Sequence, residues 1–336
     1  MRVLVTGGAG YIGSHVVRAL LEAGHAVVVV DDLSTGHRAL VERNGVPLVE
    51  GDAGDRAVLD RALPGCDAVV HVAGKALVPE SVRDPGPYFR VNAEVGRALL
   101  EAMLAHGVRR VVFSSTCAVY GVPERLPISE DTPTRPMSPY GASKLAFEHV
   151  LDAYGRAFDV LPLALRYFNV AGAHARGDIG EWHDPETHLI PNVLRAAFGD
   201  DPLDLFGGDY PTRDGTAERD YIHVEDLARA HVIAVERLDD LGPLAGRAAG
   251  LALNLGQGRG ATVLEVVRAV EDVTGRPVPR RERPRRPGDP AALVADPSRA
   301  REVLGFETRH DLRAMVESAL RFMETSGRHP GRSASA

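Results

Sequence analysis

The sequence predicts an α/β fold, a doubly wound parallel sheet with a smaller α/β C-terminal domain. Three observations carry that prediction. β-Branched runs alternate with helix-like stretches through the first half, a glycine-rich turn follows the first run, and an acidic pair closes the second. The runs RVLVTG, AVVVVD, AVVHVAG, RVVFSS and LPLALRYFN read as strands buried on both faces. YIGSHVVRALLEAG and NAEVGRALLEAMLAHG read as helices, each stopped by a glycine. Strand and helix in alternation give βαβ units and hence a parallel sheet.

The turn VTGGAGYIGSHVV sets Gly7, Gly10 and Gly13 after the first strand, at the opening of a helix. Glycines there permit a tight turn and close approach of backbone to a pyrophosphate, whose charge the helix N-terminus favours. The second strand ends in Asp31-Asp32, about 20 residues on, where a carboxylate can accept hydrogen bonds from an adenosine ribose. Asp31 would repel a 2′-phosphate, so the expected cofactor is NAD on a Rossmann sheet spanning residues 1–170. Beyond it, Gly, Asp and Pro cluster in 172–186 and 199–215, and helical patterns resume at 225–237 and 262–274. We read residues 171–326 as a domain carrying substrate loops, interleaved at its boundary with the first, and 327–336 (GRHPGRSASA) as a disordered tail.

A net charge of −7 argues against a nucleic-acid binder. Cys66 and Cys117 make no disulfide framework. No apolar run approaches the roughly 20 residues of a membrane span, and Arg2 leads directly into a strand rather than a signal peptide. A soluble cytoplasmic protein is the expectation. The histidines show no HExxH or similar spacing, so no metal is expected.

Lysine is nearly absent: Lys75 and Lys144 stand among 39 basic residues. Lys144 follows Tyr140 by four positions in SPYGASKLAFE, which puts both side chains on one helical face. A free tyrosine, with a pKa of about 10, is a poor base at neutral pH. A fixed positive charge nearby favours the phenolate, and a tuned phenol can take a proton from a substrate hydroxyl. A compact ammonium with three rotatable donors suits the paired role.

With these motifs, and with FSSTCAVYG, LRYFNVAGA, THLIPNVL, DYPTRDGTAERDYIHVEDLA, NLGQG and RRPGD, the chain resembles the extended short-chain dehydrogenase/reductases, the NAD-dependent epimerase/dehydratase family, from Met1 to about residue 325. The resemblance implies reversible epimerisation at C4 of a UDP-hexose through a 4-keto intermediate with tightly bound NAD. Dehydration, decarboxylation or reduction of a nucleotide sugar, and NAD sensing without turnover, are the alternatives. The dehydratases carry Asp-Glu just after the Thr that corresponds to Thr116; here Cys117-Ala118 follows.

The same resemblance assigns catalysis to Tyr140, Lys144 and Thr116, with Thr116 and Tyr140 also touching the sugar. It implies cofactor contacts from Gly7, Gly10, Tyr11, Ile12, Gly13, Asp31, Ala73, Ser114, Tyr140, Lys144 and Tyr167, with Asp52 near adenine and Asn92 near the nicotinamide half. Lys75, one position off the family's basic residue, is assigned to the pyrophosphate. Asn169, His188, Leu189, Arg219, Arg286 and Asp289 are implied to hold the nucleotide sugar. Leu293 stands where relatives restricted to plain hexoses often have Tyr, which leaves room for an N-acetyl group. His223 and Asp226 read as structural. In relatives, helices near 88–106 and 140–156 form a four-helix bundle, so a homodimer is implied.

Overall fold

The computed structural model describes residues 1–199, 201–245, 251–286 and 288–327. All of the expected tail except Gly327 lies outside the described residues. The strands are β1 (Arg2–Thr6), β2 (Ala26–Asp31), β3 (Leu48–Glu50), β4 (Ala68–His71), β5 (Arg110–Thr116), β6 (Leu161–Tyr167), β7 (Asn169–Ala171), β8 (Leu203–Phe206), β9 (Glu218–His223), β10 (Leu251–Leu255), β11 (Gly260–Thr262), β12 (Arg280–Arg283) and β13 (Ala292–Leu293). Seven of them form one parallel sheet in the order β10-β6-β5-β4-β1-β2-β3. β1, β4 and β5 are almost entirely buried, as their apolar runs require.

The chain winds outward from β1 through β2 and β3, then returns to β4 and winds the other way. Strand order therefore reverses between β1 and β4, and the crevice over their carboxyl ends is where such sheets bind ligands. The loops after the two strands meet there: Gly7 has φ +73°, and a Cβ on it would stand 2.6 Å from the Ala73 amide nitrogen.

One face of the sheet is covered by helices Tyr11–Glu22 and Val224–Ala245, the other by Arg56–Ala62, Val95–Ala105 and Pro139–Phe158. A separate core lies among helices Leu189–Ala197, Val263–Thr274 and Leu312–Thr325, next to β7 and β9. Helix Pro139–Phe158 starts where Ser138 Oγ accepts the Gly141 amide, with Pro139 in the first turn, and stops at Asp159 in the left-handed region. The sequence pattern anticipates most of the central strands and misses two. β3 has only three residues, and β10 comes from far beyond residue 170 to close the sheet edge beside β6. No helix among the described residues is long and apolar enough to cross a membrane.

A buried polar network ties β5, β6, β10 and helix Pro139–Phe158 together. Arg166 forks onto Glu148, and both side chains are 9% exposed. Arg166 also donates to Tyr120 Oη at 2.9 Å, and Tyr120 donates to Asn254 Oδ1 at 2.7 Å. Ser115 Oγ donates to the same Glu148 carboxylate. Removing one partner strands a buried charge, which costs more than the pair itself contributes. Arg166→Met should lower the unfolding free energy in urea by about 3–5 kcal/mol; a loss below about 1 kcal/mol would mean that water reaches Glu148.

Candidate active site

The turn after β1 forms a cradle. A Cβ on Gly13 would lie 2.0 Å from the Gly7 carbonyl oxygen, so helix Tyr11–Glu22 packs on its own turn only with glycine there. Gly10 caps that helix without a side-chain acceptor, and its first turn carries no acid, so the positive end of the helix dipole is left for an anion. Asp31, 8% exposed at the end of β2, accepts the amides of Ala9 and Leu33, each at 2.9 Å. Burial pushes its carboxyl upward despite those bonds. Each oxygen keeps acceptor capacity for a ribose hydroxyl. Backbone amides, a free helix end and a ribose acceptor together fit a dinucleotide. Ile12 is half-buried in the same first turn, and Asp52 lies exposed just past β3, where it accepts the Gly54 amide at 2.7 Å.

Tyr140 and Thr116 meet over the carboxyl end of β5. The Thr116 hydroxyl lies near enough to the Tyr140 phenol to influence it, and Thr116 Oγ1 accepts the Ala118 amide at 3.1 Å. Burial pushes the Tyr140 phenol up to about 12, and the Thr116 contact opposes the rise. Tyr88 stands edge-on to the Tyr140 ring at 6.5 Å. Lys144, 4% exposed, donates to the Ser114 carbonyl at 3.1 Å and lies 4.9 Å from the centre of the Phe113 ring. Burial pushes its ammonium down to about 8, with Glu148 opposing. Thr116 and Tyr167 are register partners on β5 and β6, and burial raises the Tyr167 phenol above its ordinary range.

Two expected cofactor residues have other partners. Asn92, fully buried, accepts the Lys75 amide at 2.8 Å and donates to the Lys75 carbonyl and Ser143 Oγ. It staples the loop after β4 to helix Pro139–Phe158. The Lys75 ammonium pairs with Glu80 at 3.1 Å and lies 5.6 Å from the centre of the Tyr88 ring.

Among the residues expected to hold a nucleotide sugar, Arg219 on β9 forms an ion pair with Asp289. Leu293 is the β13 register partner of Arg219 and packs against the small cluster of Val119, Tyr120, Ile128, Phe168 and Ala295, as Cys117 also does. Asn169 opens β7 beside Tyr221 of β9. His188 caps helix Leu189–Ala197, whose first residue is the half-buried Leu189, and its imidazole bonds Glu181. Arg286 is exposed, with its guanidinium 4.2 Å from the centre of the Phe206 ring. His223 bonds Ser318 Oγ at 3.0 Å, and Asp226 accepts the Arg309 and His310 amides.

The sequence reading passed over two residues. Asp220, fully buried, accepts the amides of Gln257, Gly258 and Ala295, which fixes the NLGQG loop against β13. Its position between two expected ligand segments was the available signal. Tyr210 has a buried hydroxyl with no partner among the described residues, close enough to Arg219 and Asp289 to feel their charges. An orphaned donor there suits a polar ligand.

Residues 3–248 match the model of the NAD dependent epimerase/dehydratase family. A UDP-glucose 4-epimerase from Azospirillum brasilense is 52% identical over 323 residues, 95% of this chain and 91% of that one. The crystal structure of UDP-glucose 4-epimerase from Brucella ovis in complex with NAD matches with TM-score 0.89 and 48% identity, covering 96% of this chain and 98% of that one. A UDP-glucose 4-epimerase from Stenotrophomonas maltophila, with bound NAD and formylated UDP-arabinopyranose, matches with TM-score 0.93 and 42% identity, covering 98% and 99%. The chain belongs to the NAD dependent epimerase/dehydratase family.

Proposed function

We propose that the protein interconverts UDP-glucose and UDP-galactose by reversible epimerisation at C4, with NAD held through the cycle. The observation that carries this is the Thr116–Tyr140 hydroxyl pair at the carboxyl end of β5, with the buried Lys144 ammonium one helical turn along. Bound NAD+ supplies a hydride acceptor for C4 and a fixed positive charge beside the phenol. Tyr140 takes the 4-hydroxyl proton, and Thr116 holds the reacting oxygen in line. Lys144 holds the cofactor ribose and contributes positive charge that counters the burial-raised phenol. The Arg219 fork and Asp289 grip the nucleotide, with Arg286, Asn169, His188 and Leu189 at its edges. Binding energy is then concentrated away from the sugar ring, which leaves the 4-keto sugar free to turn and present its other face.

The nucleotide sugar lies, on this reading, between a dinucleotide-binding part, residues 1–170, and a substrate part, residues 171–326. The protein works in the cytoplasm as a homodimer, helices Val95–Ala105 and Pro139–Phe158 pairing with their counterparts. Elimination of water is disfavoured on chemical grounds: the half-buried Cys117 thiol, pushed up to about 12 by burial, occupies the position of a dehydratase carboxyl and cannot stand in for it.

Purified protein should interconvert the two UDP-sugars with no added cofactor. Tyr140→Phe and Lys144→Met should each cut turnover by about a hundredfold or more while leaving the fold intact by circular dichroism. A different product would indicate dehydration, and no product with NAD bound would indicate a sensor. Leu293 sets the second prediction: the wild type should also epimerise UDP-N-acetylglucosamine, and Leu293→Tyr should suppress that activity selectively, with little change on UDP-glucose. Equal losses on both sugars, or no acetyl-sugar activity in the wild type, would remove Leu293 from the account.

A further inference from the structure

The segment between β7 and helix Leu189–Ala197 reads GEWHDPETHL, and folding converges four of its side chains. Glu181, His183, Glu186 and His188 each offer one donor atom, and the four atoms lie within 4.8 Å of one another. His183 Nδ1 is 3.2 Å from Glu181 Oε1 and 3.8 Å from Glu186 Oε1; His188 Nδ1 is 3.8 Å from Glu186 Oε1 and bonds Glu181 Oε1. Three of these separations, from 3.2 to 3.8 Å, are close to the edges of a tetrahedral site, while His188 Nδ1 and Glu181 Oε1 stand closer, in direct hydrogen bond, and would part slightly to share an ion. With metal–ligand bonds of about 2.0–2.1 Å, a tetrahedral site has donor–donor edges of about 3.3 Å.

Burial sharpens the case. The side chains of Glu181 and Glu186 are 6% and 3% exposed, and among the described residues their ion-pair partners are these two histidines. Two carboxylates taken from water need two positive charges close by. A divalent cation with two neutral imidazoles supplies them with zero net charge, and two nitrogens with two oxygens suit zinc-class ions. Glu186 Oε1 also accepts the amides of Thr187 and His188, at 2.8 and 2.9 Å, which fixes the carboxylate as an outer shell would. Glu181 and Glu186 line a cleft with Gly172, Pro191 and Leu194, which gives an ion a way in.

We propose that Glu181, His183, Glu186 and His188 bind one divalent transition-metal ion, a structural site that pins the 181–188 segment to the rest of the molecule. Its neighbours show what would be pinned. The Tyr11 ring, at the head of the dinucleotide-cradle helix, meets the His183 ring edge-on at 6.2 Å. The Trp182 carbonyl bonds His37 Nε2 at 3.0 Å, and their rings stack at 4.1 Å. His188 caps the helix that opens with Leu189. The ion would thus join the cofactor side to the substrate side, whichever sugar the enzyme handles.

The test uses the full chain, untagged, stripped with a chelator and titrated with Co2+. The expected result is about one equivalent per chain, with the intense visible bands of a tetrahedral site, displaced by Zn2+. Zn2+ should raise the melting temperature of the wild type and not that of Glu186→Gln. His183→Gln and Glu186→Gln should each weaken Co2+ binding at least about tenfold. No stoichiometric uptake by the folded wild type overturns the proposal whatever the variants do, leaving an imidazolium–carboxylate cluster. Uptake unchanged in both variants overturns it as well. Neither readout depends on epimerase activity.

Discussion

A single ammonium buried under the carboxyl edge of the sheet constrains everything around it. Lys144 is almost fully enclosed, and a buried cation is tolerated only where its surroundings supply acceptors and negative field. Here the Ser114 carbonyl, the face of Phe113 and the more distant Glu148 do so. Even then the balance is incomplete, and the ammonium titrates near 8. On the proposed reading that deficit makes the residue useful, because a cation short of partners would be stabilised further by cofactor hydroxyls and a developing phenolate. The space is cut to fit: a Cβ on Gly74 would lie 2.9 Å from Lys144 Nζ and 2.8 Å from Asn92 Oδ1. A planar guanidinium would not enter without moving that loop, which explains one lysine in a chain that otherwise favours arginine.

The fold supplies the geometry around this point. Reversal of strand order between β1 and β4 brings the turn holding Gly7 against Ala73, and Asn92 then locks the following loop onto the helix that carries Tyr140 and Lys144. The Arg166–Glu148 network holds β5, β6 and β10 in line, so Thr116 and Tyr167 face the crevice from adjacent strands. The cofactor end is rigid backbone; the far end is a set of side chains on β9, β13 and the loops beside them. In the proposed function such a division would grip a nucleotide firmly while leaving a sugar ring loosely held.

Much of the fold is legible in the sequence, because the relevant signals are local. Glycines at three spaced positions, an acid at the end of the next strand, and a tyrosine four residues before a lysine each encode short-range geometry. What was not legible depends on long-range convergence. β10 arrives from residue 251 to complete the sheet, and Asp220 gathers amides from residues 257, 258 and 295. Lys75 follows no local rule: Glu80, five residues on, holds its ammonium. The Glu181–His188 cluster escaped because its spacing is not helical, and its donors converge only when the segment folds back on itself.

The central claim is electrostatic: a phenol that burial holds near 12 becomes a base when positive charge is placed beside it. The direct measurement is the tyrosinate difference absorption of the NAD-loaded protein, titrated with pH against its Tyr140→Phe variant. The wild type should show one phenolate that appears within about two pH units of neutrality, is missing from the variant, and moves back toward alkaline pH on removal of NAD. A Tyr140 that stays protonated in the loaded protein up to pH values typical of free tyrosine, while turnover proceeds at neutral pH, would contradict it.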